Sequence, residues 1–222
     1  MIGSLILIIY IIISIVDVYS LQKRNKKVEF LTKPLLMPLL ILYYIFQLNL
    51  IGIDSLIVLA LIGGWLGDIF LMWENDEKKF MLGMVSFLLG HIFYIISFLI
   101  GIGSNFLAFP IWGLLLILPI VINLVLTFPK FKNHLGDFKI PVFVYMIVII
   151  IMHFTAILRL AVLEFFNPSF YLVWLGSMLF IVSDSLIAIR AFNKEFDYPG
   201  KAILAMITYI LAQYFIVQGL II

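Results

Sequence analysis

No cysteine occurs among the 222 residues. Disulfides, thiol nucleophiles and thiolate metal sites are therefore excluded, and the redox compartment stays undetermined. Charge is scarce as well. Asp, Glu, Lys and Arg make up 12% of the chain, about half the share of a soluble domain. The first hydrophobic run has no basic stretch before it and no small-residue cleavage pattern after it, so it reads as a retained helix and not as a signal peptide. What is abundant is apolar surface: 65% of residues are hydrophobic and the mean hydropathy is +1.24. No core in water hides that much, so a soluble globular domain, a disordered chain and a nucleic-acid binder are all excluded. Lipid is the solvent, and a multi-pass protein of the cell membrane is expected.

A spanning helix needs roughly 20 mostly apolar residues. Eight such runs follow one another at about 2–20, 35–51, 55–73, 80–100, 107–128, 140–160, 170–189 and 202–221. The connections between them are short, at 21–34, 52–54, 74–79, 101–106, 129–139, 161–169 and 190–201, with Pro34, Gly101, Gly103, Pro129, Pro168, Pro199 and Gly200 marking edges. A β-barrel would instead show alternating runs of about 10 residues. The expected fold is thus all-α, a single integral membrane domain over residues 1–222 with eight transmembrane helices.

Cations set the orientation. Lys23, Arg24, Lys26, Lys27 and Lys33 lie between spans 1 and 2, and Lys78 and Lys79 between 3 and 4. Lys130, Lys132 and Lys139 lie between 5 and 6, and Arg190, Lys194 and Lys201 between 7 and 8. These are 13 of the 14 Lys and Arg residues, and only Arg159 falls at the other side. The positive-inside rule places that majority in the cytoplasm and both termini outside. A miscounted span would have scattered the charges over both faces.

An ionisable group inside a span costs roughly 2.5–3.5 kcal/mol, so each marks a candidate site. Asp54 sits at an outer loop edge and reads as solvated. Asp17 lies about one turn from the cytoplasmic end of span 1, where reaching the interface and serving a site are equally good readings. Asp68 and Asp184 differ from both. Each lies five residues before the cytoplasmic end of its span, about 7–8 Å inside the hydrocarbon boundary, and each follows small residues: Gly63, Gly64 and Gly67, or Gly176, Ser177 and Ser183. Small residues allow close helix approach or leave room for a ligand, while packing aspartates bonded to hydroxyls are the structural alternative. His91 and Tyr94 share one face of span 4 at i and i+3. Tyr145 and His153 lie in span 6, and Tyr209 and Gln213 form an i, i+4 pair in span 8. Lys33, before Pro34, opens span 2, and Arg190 closes span 7. Both serve as interface anchors or as a cationic pair for a lipid phosphate. Asp68 precedes Tyr94 by 26 residues and Asp184 precedes Tyr209 by 25, which suggests a four-plus-four parallel repeat.

The segments GGWLGDIFLM, FMLGMVSFLLGHIFYIISF, GSMLFIVSDSLIAIRAF and TYILAQYFIVQGL resemble the YhhN family of integral membrane proteins, the lysoplasmalogenases. Lys33-Pro34 and the pattern Pro141-Val142, Tyr145, Met152, Ala156 fit the same family, and the resemblance covers essentially the whole chain. It implies an alkenyl ether hydrolase whose substrate is a lysophospholipid within the membrane. The vinyl ether of a lysoplasmalogen would give a fatty aldehyde and glycerophosphocholine or glycerophosphoethanolamine. Such chemistry needs an acid to protonate the β-carbon and a base for the water that traps the oxocarbenium ion, as two carboxyl groups do in glycosidases. Asp68 and Asp184 are expected to share these roles, with neither assigned to acid or base. His91, Tyr94, Tyr145, Tyr209 and Gln213 are expected to orient them, the water or the substrate. Lys33 and Arg190 would hold the headgroup phosphate. No cofactor and no metal is expected, although Asp68, Asp184 and His91 could ligate a divalent ion.

Two other classes fit parts of the pattern. Intramembrane aspartyl proteases also use two membrane aspartates, but the sequences around Asp68 and Asp184 lack their YD, GxGD and PAL motifs. A small proton-coupled transporter or lipid-binding membrane protein would also carry paired internal acids. Against it, both acids lie off the midplane and no span is broken by a central proline-glycine pair, while Pro38 and Pro119 are expected to kink spans 2 and 5. Proton-coupled uptake without hydrolysis would identify that class.

Overall fold

The computed structural model describes residues 2–73, 76–193, 195 and 199–222, and Lys194 of the expected cytoplasmic set lies outside them. Among the described residues the chain is helical without strands. Its α-helices are α1 (Ile2–Gln22), α2 (Lys26–Gln47), α3 (Ser55–Leu71), α4 (Glu77–Ile102), α5 (Leu118–Thr127), α6 (Lys139–Leu158), α7 (Pro168–Phe192) and α8 (Pro199–Ile221). Among the described residues seven helical segments are long and apolar enough to cross a membrane. α3 has 17 residues and is a shorter apolar helix, about 26 Å long.

Two expected boundaries move. Residues 21–34 were expected to form a connection, but α2 begins at Lys26, because Asn25 caps it by accepting the Val28 N–H at 3.4 Å. Lys33 and Pro34 therefore lie inside α2 and do not open it, and α2 ends at Gln47, before left-handed Asn49 and Leu50 turn the chain. Span 5 is not one α-helix. A 3-10 stretch, Ile111–Ile117, precedes α5, and the Leu118 N–H bonds Leu115 O three residues back. Pro119 is the reason, since it has no N–H to give the carbonyl four residues earlier.

The chain divides into two compact units, one running through Ser97 and taking in Ile221, the other covering Phe98–Leu220 with Ile222. In the first unit α1 shows that lipid is the solvent. Its buried residues are Gly3, Tyr10, Ser14, Asp17 and Ser20, at helical spacing, while Ile8, Ile12 and Ile15 are exposed, Ile15 at 64%. A helix in water would present the opposite pattern. α3 and α4 meet backbone to backbone. A Cβ at Gly63 would lie 2.8 Å from Ser86 O and 2.9 Å from Gly90 Cα, and one at Gly67 would strike the Phe87 ring.

In the second unit α7 and α8 run antiparallel along small residues repeating every seven. Ser169 Oγ donates to Gly219 O, Gly176 abuts Ala212 O, and Ser183 Oγ donates to Ala205 O at 2.9 Å. Each step along one helix matches an equal step back along the other, so the two backbones stay in contact over four turns. Lipid provides no hydrophobic drive for helices to associate, and such close approach supplies dispersion in its place.

Candidate functional site

In the first unit the polar groups gather where α1 and α3 end and α2 and α4 begin. α2 distributes the contacts. Its successive residues Thr32 and Lys33 point about 100° apart, so each reaches a different neighbour. The Thr32 hydroxyl donates to Asp17 Oδ1 on α1 at 2.6 Å, and Lys33 Nζ lies 4.0 Å from Asp68 Oδ1 on α3. Asp17 is wholly buried and Asp68 is 3% exposed. Asp17 Oδ2 has no hydrogen-bond partner, and Glu29, which pairs with Lys26 at 3.2 Å, acts on Asp17 together with Lys33. Lys33 thus lies between two buried carboxylates, paired with Asp68 and acting on Asp17. Pro34 adds a further link. Pro38 lacks the N–H that would bond Pro34 O within α2, and Trp65 Nε1 on α3 donates to that carbonyl at 2.8 Å. This bond fixes α3 against α2 one residue from Lys33.

The second unit repeats the logic on α7. Ser183, Asp184 and Ser185 are consecutive and face three helices. Ser183 bonds α8, Asp184 Oδ2 accepts the Tyr145 hydroxyl of α6, and Ser185 Oγ donates to Asn123 Oδ1 of α5 at 2.8 Å. One turn of α7 therefore holds three neighbours at one level, with the half-buried Asp184 at its centre. Lys130, Lys139, Arg190 and Lys201 mark the same end of this unit, where Asn193 Nδ2 donates to Lys130 O at 2.6 Å.

The expected site residues separate accordingly. Lys33 meets Asp68, and Tyr145 meets Asp184. Tyr209 is buried edge-on against Phe180 at 5.6 Å, and Gln213 is buried one turn on. Arg190 is half-buried in the last turn of α7. Tyr94 was expected to orient the acids but has the phenols of Tyr10 and Tyr44 as neighbours. Tyr44 lies about 16 Å along α2 from Lys33, so Tyr94 belongs to the other end of its unit, with buried His91 one turn before it. The reason is the length of α4, which carries Tyr94, its eighteenth residue, well past the level of Asp68. Asp54, expected to be merely solvated, is a structural knot. It caps α3 by accepting the Leu56 N–H at 2.9 Å, accepts Ser97 Oγ at 2.5 Å, and gives its own N–H to Tyr44 Oη. Asp17 was left undecided in the sequence. A carboxylate on a helix face otherwise made of Tyr10, Ser14 and Ser20 was the available signal that it points inward. His153 Nδ1 lies 2.8 Å from Ser177 Oγ. That hydroxyl already donates to Trp174 O, so the ring nitrogen is the donor. Among the described residues no three His, Asp or Glu side chains converge as a metal ion would require.

The profile of the YhhN family matches residues 28–220. The chain belongs to the YhhN family. This match spans α2 to α8 and includes Lys33, Asp68, Tyr145 and Asp184, while α1 and Asp17 precede it. No curated protein and no solved structure matches the chain. The family and the long apolar helices together make it a multi-pass membrane protein of the YhhN type.

Proposed function

We propose that this YhhN protein hydrolyses the vinyl ether of a lysoplasmalogen in the cell membrane, with Asp68 and Asp184 as its acid and base. The eight helices would all span, α3 included, with both termini outside and the lysine-rich ends in the cytoplasm. The observation that supports the reading is that each carboxyl in an apolar helix has a partner suited to positioning it. Asp68 has the Lys33 ammonium, which offsets its charge, and Asp184 has the Tyr145 hydroxyl, which fixes one oxygen.

The chemistry follows in order. A carboxylic acid protonates the β-carbon of the alkenyl ether, and positive charge develops on the ether oxygen and its neighbouring carbon. A carboxylate stabilises that charge and takes a proton from water as the water adds. The hemiacetal then collapses to aldehyde and alcohol, and the proton returns to the departing glycerol oxygen. Lys33 and Arg190 are assigned to the headgroup phosphate. Lys33 has three donors and an ion pair no closer than 4.0 Å, so it can serve Asp68 and a phosphate together. Tyr209 and Gln213 keep the orienting roles expected of them, whereas His91 follows Gly90, which abuts Ala60, about 12 Å along α3 from Asp68.

Aldehyde release from lysoplasmalogen by the purified, reconstituted protein tests this. Asp68→Asn and Asp184→Asn should each lower turnover by about 10²-fold or more in proteins whose unfolding curves match the parent. Parent-like turnover in either variant removes that residue from the mechanism, and no turnover by the parent removes the reaction.

A further inference from the structure

Arg159 is the lone Lys or Arg at its side of the chain, and the hydrolase reading gives it no task. It ends α6 and begins a 3-10 turn, Arg159–Ala161. α6 separates it from Lys139 by 20 residues, about 30 Å, so it lies at the membrane face opposite the lysine-rich end of its own unit. Its guanidinium donates from Nη1 to Ser169 O at 3.2 Å and from Nη2 to Ser169 Oγ at 2.9 Å. Phe98 lies under it, 5.8 Å from Cζ to the ring centre. These partners are neutral. Among the described residues no carboxylate pairs with Arg159, and Glu164, five residues on, is exposed and not joined to it.

A half-buried guanidinium without a counter-charge is unfavourable, and its surroundings worsen the balance. Ser169 lies in the first turn of the 25-residue α7, whose N-terminal dipole is positive. Two of the five guanidinium N–H donors are used, and the rest are of the kind that grips a phosphate in bidentate fashion. The setting points to the source of that phosphate. Trp112 stacks edge-on to Phe165 at 5.0 Å, and Phe165 does the same to the 82% exposed Phe166. Aromatic side chains of this kind mark the headgroup level of a bilayer, with apolar neighbours to meet acyl chains.

We propose that Arg159 binds the phosphate of a membrane phospholipid at the face opposite the lysine-rich loops, as a lipid site separate from the hydrolytic residues. Native mass spectrometry of the full chain, released from neutral detergent with added phosphatidylglycerol or with diacylglycerol of the same chains, tests it. Phosphatidylglycerol should stay bound where diacylglycerol does not, and Arg159→Gln should weaken it about tenfold. Should that variant not fold, Arg159→Lys decides, because one ammonium cannot reproduce the bidentate grip and affinity should still fall several-fold. A large excess of inorganic phosphate should leave the lipid in place. Equal retention of the two lipids, unchanged affinity in the folded variants, or displacement by inorganic phosphate would each overturn the proposal, the last by making a free anion the ligand.

Discussion

Trp65 should be indispensable only because Pro38 is a proline. Within α2 the Pro34 carbonyl has no donor four residues on, and the indole N–H of α3 supplies one at 2.8 Å. Trp65→Phe keeps most of the ring and removes that donor. Hydrogen bonds between membrane helices average about 0.6 kcal/mol and reach about 1.7, and a carbonyl left unpaired in an apolar setting raises the loss toward about 1–3. A cost of about 1–2 kcal/mol is therefore expected from unfolding curves in mixed SDS micelles followed by circular dichroism. Pro38→Ala returns an N–H to the position that faces Pro34 O, so in that background the same Trp65→Phe change should cost less than about half as much. The coupling energy of the cycle should be about 1 kcal/mol. Because the bond lies one residue from Lys33, Trp65→Phe should also lower aldehyde release by loosening Lys33 from Asp68, and Pro38→Ala should not restore that loss. Equal costs of Trp65→Phe in the two backgrounds would refute the account of a proline-orphaned carbonyl.

Two further outcomes follow from the packing and the α7 cluster. Gly176→Ala should destabilise the protein by about 1–3 kcal/mol, since its Cβ would lie 2.8 Å from Ala212 O, whereas Gly101→Ala, with nothing within 4 Å, should be neutral or slightly stabilising by helix propensity; similar unfolding curves for the two would discount the seven-residue seam. Tyr145→Phe should reduce turnover about tenfold with KM unchanged, because it removes the donor that positions Asp184 and touches no headgroup contact; a rise in KM with full turnover would move Tyr145 to substrate binding.

Much of this protein was legible before any coordinate. Hydrophobic runs gave the helices and their order, because lipid forces every backbone group to pair within its own segment. The equal offset expected for Asp68 and Asp184 did not follow, since α3 ends three residues after Asp68 and α7 eight residues after Asp184. Boundaries failed where proline or a capping residue outweighed hydropathy. Asn25 starts α2 among lysines that look like a loop, and Pro119 splits span 5 into 3-10 and α-helical parts.

Rotation of each helix about its axis was the quantity that sequence could not supply. It decides that Lys33 faces Asp68, that Asp17 turns inward to Thr32, and that Ser183, Asp184 and Ser185 each reach a different helix. In lipid that rotation is fixed by where small residues allow backbones to touch, as Gly63 does at Gly90 and Gly176 at Ala212. Those contacts are pairwise and long-range. The sequence by itself therefore determined the solvent and the order of the helices, while tertiary packing alone decided which partner each acid received.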